Sequence, residues 1–244
     1  MNSLKEVAQK NMEALQNNPY PGRGIVLGCS PDANNLVQVY WIMGRSENSR
    51  NRIFELEDNG FVRTKAYDES KVTDPSLIIY HPAKHLDRCH IISNGDQTDT
   101  VFEAMQKGKT MEFALELREF EPDAPNYTPR ITGIMDMMEN HSIYRLSILK
   151  TMNNNGTSGC LRHTYSYEKP LPGLGHLITT YQGDGDPLPS FEGEPKLAVI
   201  KSNALDTLEY YWDLLNPDNK ISLMVKWINR LTFEAETLVI NKHQ

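Results

Sequence analysis

Short β-prone runs that arrive in adjacent pairs constrain the fold of this chain more than any other feature. The runs Gly24 to Cys29 and Leu36 to Met43 are separated by a polar turn, and the runs Ile53 to Leu56 and Phe61 to Ala66 flank Asn59-Gly60. An Asn-Gly pair favours a tight hairpin turn. Strands joined by short turns pair in antiparallel fashion, whereas parallel strands need a long crossover. The sequence therefore predicts antiparallel sheets.

Helical patterns lie between groups of these runs. Residues 4–15 have amphipathic spacing, Thr100 with Glu103 three residues later fits a capping box, and Thr110 and Ser202 are suited to cap two further helices. Further strands are predicted over Leu77 to Tyr80, His90 to Ser93, two stretches between Ile131 and Met152, Lys220 to Trp227 and Leu231 to Ile240. Paired strands with helices bunched between them predict an α+β fold of antiparallel sheets covered by helices.

The chain is expected to form one domain over residues 1–244, since 244 residues is compatible with a single core. Residues 1–20 would be an N-terminal helical extension, with Pro19 and Pro21 ending the helix. The stretch from Pro170 to Pro195 is rich in Gly, Pro and Asp. It predicts a long exposed loop.

Charge and hydropathy exclude several classes of protein. A formal net charge of −7 disfavours nucleic-acid binding, because phosphate backbones require an excess of Lys and Arg. No apolar run approaches the roughly 20 residues of a membrane helix, and the polar N-terminal segment does not resemble a signal peptide. We therefore expect a cytoplasmic protein without membrane or nucleic-acid partners. A small anionic ligand is still compatible with the local cluster of Arg45, Arg50 and Arg52, although a solvated basic turn would show the same pattern.

Cysteine and histidine spacing argues against disulfides and metals. The three cysteines, Cys29, Cys89 and Cys160, are odd in number and lack a CxxC pair, so we expect reduced thiols. His81 and His85 have the spacing of a helical metal pair, but Pro82 lies between them and no third ligand is nearby. No metal site is predicted.

Three short segments carry a family resemblance. They are Gly22-Arg23-Gly24-Ile25, the run from Gly44-Arg45-Ser46 to Asn51-Arg52, and Ser93-Asn94-Gly95-Asp96-Gln97-Thr98-Asp99-Thr100, followed downstream by Thr128-Pro129-Arg130-Ile131. In order and character they resemble the archaeal-type IMP cyclohydrolases, most closely from about Pro21 to Gly133.

This resemblance implies an Ntn-hydrolase-like fold, a four-layer αββα sandwich of antiparallel sheets between helices. The defining chemistry of N-terminal nucleophile hydrolases would be missing, because Met1 and about 20 further residues precede the first predicted strand and Cys29 lies inside the chain. Likeness of fold alone does not establish function.

The resemblance also implies site residues. Arg52, Tyr80 and Glu121 match catalytic positions, and the substrate-binding set comprises Arg23, Arg45, Asn94, Gly95, Thr98, Asp99 and Arg130. Alternatives are open at each place. A strand tyrosine such as Tyr80 is by default a core residue, Glu121 next to a proline is usually solvated and lies close to Asp123, and the Ser93 to Thr100 segment equally suits a helix cap.

The activity implied is closure of 5-formamidoimidazole-4-carboxamide ribonucleotide (FAICAR) to IMP with loss of water. That reaction needs positioning, oxyanion stabilisation and proton transfer, so no cofactor is expected. The expected partners are this nucleotide and further copies of the chain in a homo-oligomer. Two alternatives are open: an amidohydrolase or cyclohydrolase acting on a related imidazole or purine nucleotide, and a non-catalytic purine-nucleotide-binding regulator.

Overall fold

The computed structural model describes residues 3–72, 78–138, 142–154 and 156–243. The helices are α1 (Leu4–Gln16), α2 (Glu47–Arg50), α3 (Gln97–Gln106), α4 (Met111–Glu116) and α5 (Ala204–Leu214). The strands are β1 (Gly24–Cys29), β2 (Asn35–Met43), β3 (Arg52–Leu56), β4 (Val62–Ala66), β5 (Ala83–Leu86), β6 (Cys89–Ser93), β7 (Arg130–Asp136), β8 (Tyr144–Thr151), β9 (Cys160–Tyr167), β10 (Leu174–Thr179), β11 (Lys196–Val199), β12 (Lys220–Asn229) and β13 (Ala235–Asn241). Among the described helices, none is long and apolar enough to cross a membrane.

The strands form two antiparallel sheets. The first has six strands in the order β11-β10-β1-β2-β12-β13, and the second has seven in the order β3-β4-β5-β6-β7-β8-β9. The β1–β2 and β3–β4 hairpins confirm the two predicted from turn chemistry. The second sheet follows chain order throughout, whereas the first inserts β10 beside β1 from a distant part of the sequence.

Three hydrophobic clusters show how the layers stack. Along β1, Ile25 and Leu27 face the second sheet, and Val26 between them faces α1 and α5 on the opposite side. This follows from the alternation of side chains along a strand. On the far side of the second sheet, Ile91 and Val101 belong to a cluster that also contains residues of α4. The sheets are therefore stacked face to face, with α1 and α5 on one outside face and α3 and α4 on the other.

Several predicted boundaries are wrong. Residues 78–80 of the predicted strand Leu77 to Tyr80 are not in a strand, Leu77 lies outside the described residues, and the strand in this region is β5. Thr100 does not cap a helix, because α3 begins three residues earlier at Gln97 with Asp96 at its N-cap. The predicted turn at residues 139–141 also lies outside the described residues.

The predicted loop from Pro170 to Pro195 is the largest correction. Residues Leu174–Thr179 form β10, a mostly buried strand with β1 on one side and β11 on the other. The prediction is wrong because it interprets Gly175 as a sign of a flexible loop. Gly28 and Gly175 lie opposite each other, and a Cβ at either position would lie 2.5 to 2.7 Å from backbone atoms of the partner strand. Gly175 is therefore explained by close contact between the two strands and not by chain flexibility.

Candidate active site

Arg23 lies directly before β1, where the chain makes a tight bend. Gly22 has a φ of 73°, and a Cβ at this position would lie 2.2 Å from the Thr180 hydroxyl oxygen, so a side chain is excluded. The N–H of Arg23 donates to Thr180 Oγ1 at 3.1 Å, and the Thr180 N–H donates back to the Arg23 carbonyl at 2.9 Å. These bonds hold the Arg23 backbone at the start of β1. The Nε of Arg23 is buried and has no hydrogen-bond partner in the described part of the chain.

Arg52 begins β3 and is completely buried. Its Nε donates to the Ser49 carbonyl of α2 at 2.8 Å, while Nη1 and Nη2 are buried without a hydrogen-bond partner among the described residues. Burial and the neighbouring charge of Arg23 lower the pKa of Arg52, but a guanidinium remains charged at any physiological pH. A buried donor without an acceptor costs about 1–3 kcal/mol, and more when it is charged. Arg52 therefore presents two donor nitrogens, Nη1 and Nη2, that can bind the oxygen atoms of a ligand.

Tyr80 and Tyr40 form a buried pair of phenols whose hydroxyl oxygens are 2.8 Å apart. The Tyr80 backbone is held by Thr64, whose Oγ1 accepts from the Tyr80 N–H at 2.7 Å. Burial raises the pKa of Tyr80, although the charges of Arg52 and Arg23 oppose that rise. Burial likewise raises the pKa of Tyr40 well above its usual value. Both phenols are therefore protonated at neutral pH, and either hydroxyl can donate to the other.

Glu121 is a buried carboxyl with arginines close by. Only 2% of the residue is exposed, and a Cβ at Gly95 would lie 3.5 Å from its Oε1. Burial raises the pKa of Glu121, and the charges of Arg23 and Arg130 only partly offset this effect. Among the described residues, no ion pair within 4 Å joins its carboxylate to a cation. Such a carboxyl can both accept and return a proton.

These residues form one electrostatic cluster. Burial by itself lowers the pKa of Arg23, but Glu121 and the tyrosines Tyr181, Tyr20 and Tyr80 raise it on balance. Arg52 and Tyr80 also act on each other, since each appears among the charges that shift the pKa of its neighbour. The structure thus brings Arg23, the three residues expected to be catalytic and Tyr40 into one buried region between the sheets.

Asn94 uses its side chain to brace the loop that enters α3. Its Nδ2 donates to the Pro129 carbonyl at 2.9 Å, and its Oδ1 accepts from the Ile131 N–H at 2.7 Å and from Gln97 Nε2 at 3.0 Å. The residue is buried. These bonds leave the amide little capacity for a ligand and tie the loop to β7.

The remaining polar residues of this segment are also occupied. Thr98 Oγ1 donates to the Gly95 carbonyl at 3.1 Å and is hydrogen-bonded to Ser93 Oγ. Asp99 pairs with Lys84 Nζ at 2.7 Å on the outside of the second sheet and does not join the arginine cluster. Gly95 contributes differently, because a Cβ there would lie 2.6 Å from Arg130 Nη1. Its missing side chain leaves room beside Arg130 and Glu121.

Arg130 begins β7 and is held in place by α3. Its Nη1 donates to Asp96 Oδ1 and to Gln97 Oε1, both at 2.7 Å. The Nε is buried and has no hydrogen-bond partner in the described ranges. Arg130 thus contributes positive charge next to Glu121, with its orientation already fixed.

Arg45 lies at the surface, away from the buried arginines. Its Nη1 contacts Asp184 Oδ1 at 2.5 Å and the Gly185 carbonyl at 3.0 Å, and its guanidinium lies over the Tyr20 ring, 5.0 Å from the centroid. Tyr20 in turn stacks on Tyr181 with 6.0 Å between centroids. Through these two rings Arg45 connects the Gly- and Asp-rich loop to the edge of the cluster.

Tyr40, Tyr181 and Gln97 lie beside predicted site residues, namely Tyr80, Arg23 and Arg130, but are not among the site residues predicted from the sequence. Tyr40 sits in a run of apolar residues and has the pattern of a core residue. The Tyr181 hydroxyl is 2.5 Å from Thr128 Oγ1, which itself contacts Asp123. Asp123, the alternative to Glu121, thus caps a turn by accepting from the Thr128 N–H and hydroxyl. Nothing in local sequence signals these contacts, since they join distant segments.

The two histidines with metal-like spacing do not share a ligand position. His81 lies near Glu57 and Asp99, at 3.5 and 3.8 Å, whereas the His85 ring packs on Phe61 and His90. Within the described ranges, no group of three or more His, Cys, Asp and Glu side chains is arranged to hold a metal ion.

Comparison with known proteins identifies the family of this chain. The sequence is 28% identical over 183 residues to the IMP cyclohydrolase of Methanopyrus kandleri, an alignment that covers 71% of this chain and 89% of the relative. The family model described as "IMP cyclohydrolase-like protein" matches residues 20–232. That range includes every residue of the arginine, tyrosine and glutamate cluster. This chain belongs to the family of IMP cyclohydrolase-like proteins.

Proposed function

We propose that this chain, whose relative is named IMP cyclohydrolase, closes FAICAR to IMP with loss of water. By reaction type it is a hydrolase acting on carbon–nitrogen bonds in cyclic amidines. The observation that carries the proposal is Arg52, whose two terminal nitrogens are buried beside Tyr80 and Glu121 and have no hydrogen-bond partner in the described part of the chain.

The chemistry demands what this cluster can supply. The carboxamide nitrogen of FAICAR attacks the formyl carbon, a tetrahedral adduct forms, and the former formyl oxygen leaves as water. An amide nitrogen is a weak nucleophile, so the two groups must be held in contact and negative charge on oxygen must be stabilised. Donors buried in a region of low dielectric stabilise such charge more strongly than donors in water.

In our proposal Arg52 donates from Nη1 and Nη2 to the oxygen atoms that gain charge. Glu121 takes a proton from the attacking carboxamide nitrogen, a role suited to a carboxyl whose pKa is raised by burial and restrained by arginines. Tyr80, which is hydrogen-bonded to Tyr40, delivers a proton to the formyl oxygen as the carbon–nitrogen bond forms. The protonated Glu121 then gives its proton to the resulting hydroxyl group, which leaves as water as the carbon–oxygen bond breaks, and the Tyr80 phenolate takes the N–H proton of the former formamido nitrogen. Both side chains thereby return to their starting protonation states.

The remaining predicted residues divide into those that would contact the nucleotide and those that would hold the loop before α3. Arg23 and Arg130 supply fixed positive charge near Glu121, and Gly95 leaves space beside them. Asn94 and Thr98 would act indirectly, by holding the loop, because their side chains are already hydrogen-bonded. Arg45 and Asp99 lie farther out, and we propose contacts of the ribose phosphate with Arg45 at the edge of the site.

The proposal also covers the fold, the partners and the cellular location of the protein. Two antiparallel sheets stacked between helices support an Ntn-hydrolase-like αββα sandwich, with the nucleophile of those hydrolases replaced by the cluster described above. The net charge of −7 supports a protein without nucleic-acid partners. A cytoplasmic location and a homo-oligomeric state stay predictions, and light scattering coupled to size-exclusion chromatography measures the second.

Turnover tests the proposal. Purified protein is mixed with FAICAR, and IMP is followed by its ultraviolet absorbance and by chromatography. We expect IMP to form with the wild type and with Arg63→Met, an exposed control on β4, and to be lost with Arg52→Met. Binding of FAICAR without IMP would contradict the proposal and favour a nucleotide-binding regulator. Turnover of a different imidazole or purine nucleotide alone would favour a related cyclohydrolase or amidohydrolase.

A further inference from the structure

A polar cavity lies between the two sheets, and none of its lining residues belongs to the cluster around Arg52. Its volume is about 230 Å³. It is lined by Gly60, His85, Asp87, His90, Lys226, Phe233, Ala235 and Thr237. The volume is several times the roughly 30 Å³ that a water molecule occupies in the liquid, so an ion with four or five heavy atoms fits.

Lys226 places a positive charge on the inner wall of this cavity. It lies in the middle of β12, beside Gln38 in the register of the sheet, and only 2% of the residue is exposed. Its ammonium group makes no ion pair with any carboxylate of the described residues. Burial lowers the pKa of Lys226 to about 8. The ammonium is therefore mostly charged at pH 7, although it lacks a partner that would compensate its burial.

Two histidines complete the wall. His90 is 3% exposed, and both of its ring nitrogens are buried without a hydrogen-bond partner in the described chain. His85 stacks on it with 5.6 Å between centroids, and its Nδ1 is also unpartnered. Burial, followed by the charge of Lys226, lowers the pKa of His90 to about 3. The ring is thus neutral at pH 7 and offers one N–H donor and one acceptor.

We propose that this cavity binds a small oxyanion, which accepts from Lys226 and from the imidazole N–H groups of His90 and His85. An anion would supply the charge that the buried ammonium lacks, whereas a cation would be repelled and an apolar molecule would leave the polar atoms unpaired. Among the described residues that line the cavity, Asp87 is the one acidic residue, and it is exposed. The inference does not rest on the proposed cyclohydrolase activity.

Histidine ring resonances provide a local test. Protein labelled with ¹⁵N in histidine is titrated with sodium sulfate and, separately, with sodium acetate at constant ionic strength, and the His90 and His85 signals are assigned with His90→Asn and His85→Asn. We expect saturable shifts of these two rings with at least one of the ions, and the ion that binds more tightly distinguishes an inorganic oxyanion from a carboxylate. Sulfate bound only by the arginines near Arg52 would not move these signals.

Variants at two lysines test the role of the Lys226 ammonium. Lys226→Met should weaken binding about 10- to 100-fold, the effect expected when a charged hydrogen-bond donor is removed. Lys220→Met, on the same strand, is the control because its ammonium donates to the Trp212 carbonyl, and it should leave the affinity unchanged. Lys226→Gln serves as a second variant in case the methionine does not fold.

Dependence on pH gives a further check. With a pKa of about 8, Lys226 is charged in about nine-tenths of molecules at pH 7 and in about one-tenth at pH 9, so the affinity for sulfate should fall roughly tenfold between these values. The neutral histidines should add no dependence in this range, because burial lowers the pKa of both rings. Absence of saturable His90 and His85 shifts, or shifts that persist undiminished in both Lys226 variants, would overturn the proposal.

Discussion

Asn94→Ala should destabilise the protein while leaving its affinity for nucleotide almost unchanged. The variant removes three hydrogen bonds, to the Pro129 carbonyl, the Ile131 N–H and the Gln97 amide. Each bond contributes about 1 kcal/mol, and the buried Ile131 N–H would lose its acceptor at a further cost of about 1–3 kcal/mol. The free energy of unfolding should therefore fall by about 4–6 kcal/mol. A domain whose stability lies well above the lower end of the usual range of about 5–15 kcal/mol still folds after that loss.

Urea unfolding, followed by circular dichroism, measures the change, and calorimetric titration with IMP on the folded variant measures affinity. The matched control is Asn59→Ala, which removes a single acceptor for the Phe61 N–H in an exposed turn and should cost about 1 kcal/mol or less. A variant with wild-type stability and an affinity weakened more than about tenfold would refute the reasoning. In that case the Asn94 amide would contact the ligand and would not act as a brace.

Three other predictions concern metals, thiols and pH. Turnover in the FAICAR assay should survive dialysis against a chelator, because the described ranges contain no group of three or more His, Cys, Asp and Glu side chains arranged to bind a metal ion; loss of activity that one divalent ion restores would contradict this. Alanine at Cys29, Cys89 or Cys160 should leave kcat within about threefold, since burial raises the pKa of the Cys29 and Cys160 thiols and disfavours thiolates; substrate trapped covalently on a cysteine, detected by mass spectrometry, would show otherwise. The pKa of Glu121 is raised above its usual value of 4.5 in the folded protein, so the protonated form stabilises the fold at low pH and that stability is lost as pH rises through the folded value. Glu121→Gln should therefore be more stable than wild type at pH 8 and lose this advantage near pH 4, as measured by urea unfolding, and an equal difference at both pH values would argue against the burial of this charge.

Local sequence signals predict the parts of the fold that depend on neighbours in the chain. Turn chemistry locates the β1–β2 and β3–β4 hairpins, and Thr110 caps α4 as expected, accepting from the Phe113 N–H. The missed strand β10 depends on a distant partner. β10 joins β1 across about 150 residues, and its glycine is required by that contact. The segment that contains β10 is rich in Gly and Pro, and this composition predicts a loop. The residues next to β10 in the sequence do not reveal that it pairs with β1.

In the candidate site, too, residues with local sequence signals differ from residues whose contacts lie on distant segments. Arg52, Tyr80 and Glu121 are found through family resemblance, since an isolated strand tyrosine or an acid before a proline carries no chemical signal by itself. Tyr40 could not be distinguished from its apolar neighbours on β2, because the role that we propose for it depends on a hydroxyl 2.8 Å away on another segment. Conversely, Asn94 has a conspicuous local motif, yet its amide is consumed by contacts with β7 and with Gln97.

Proton transfer by Tyr80 and Glu121 is the central claim, and a double-mutant cycle on kcat tests it most directly. Tyr80→Phe and Glu121→Gln should each lower kcat for FAICAR by about 10²- to 10⁴-fold with a much smaller change in KM, whereas the exposed control Tyr67→Phe should not. Because both residues serve one sequence of proton transfers, the double variant should be less impaired than the product of the two single effects. Near-normal kcat in both single variants, with the fold intact, would contradict the account.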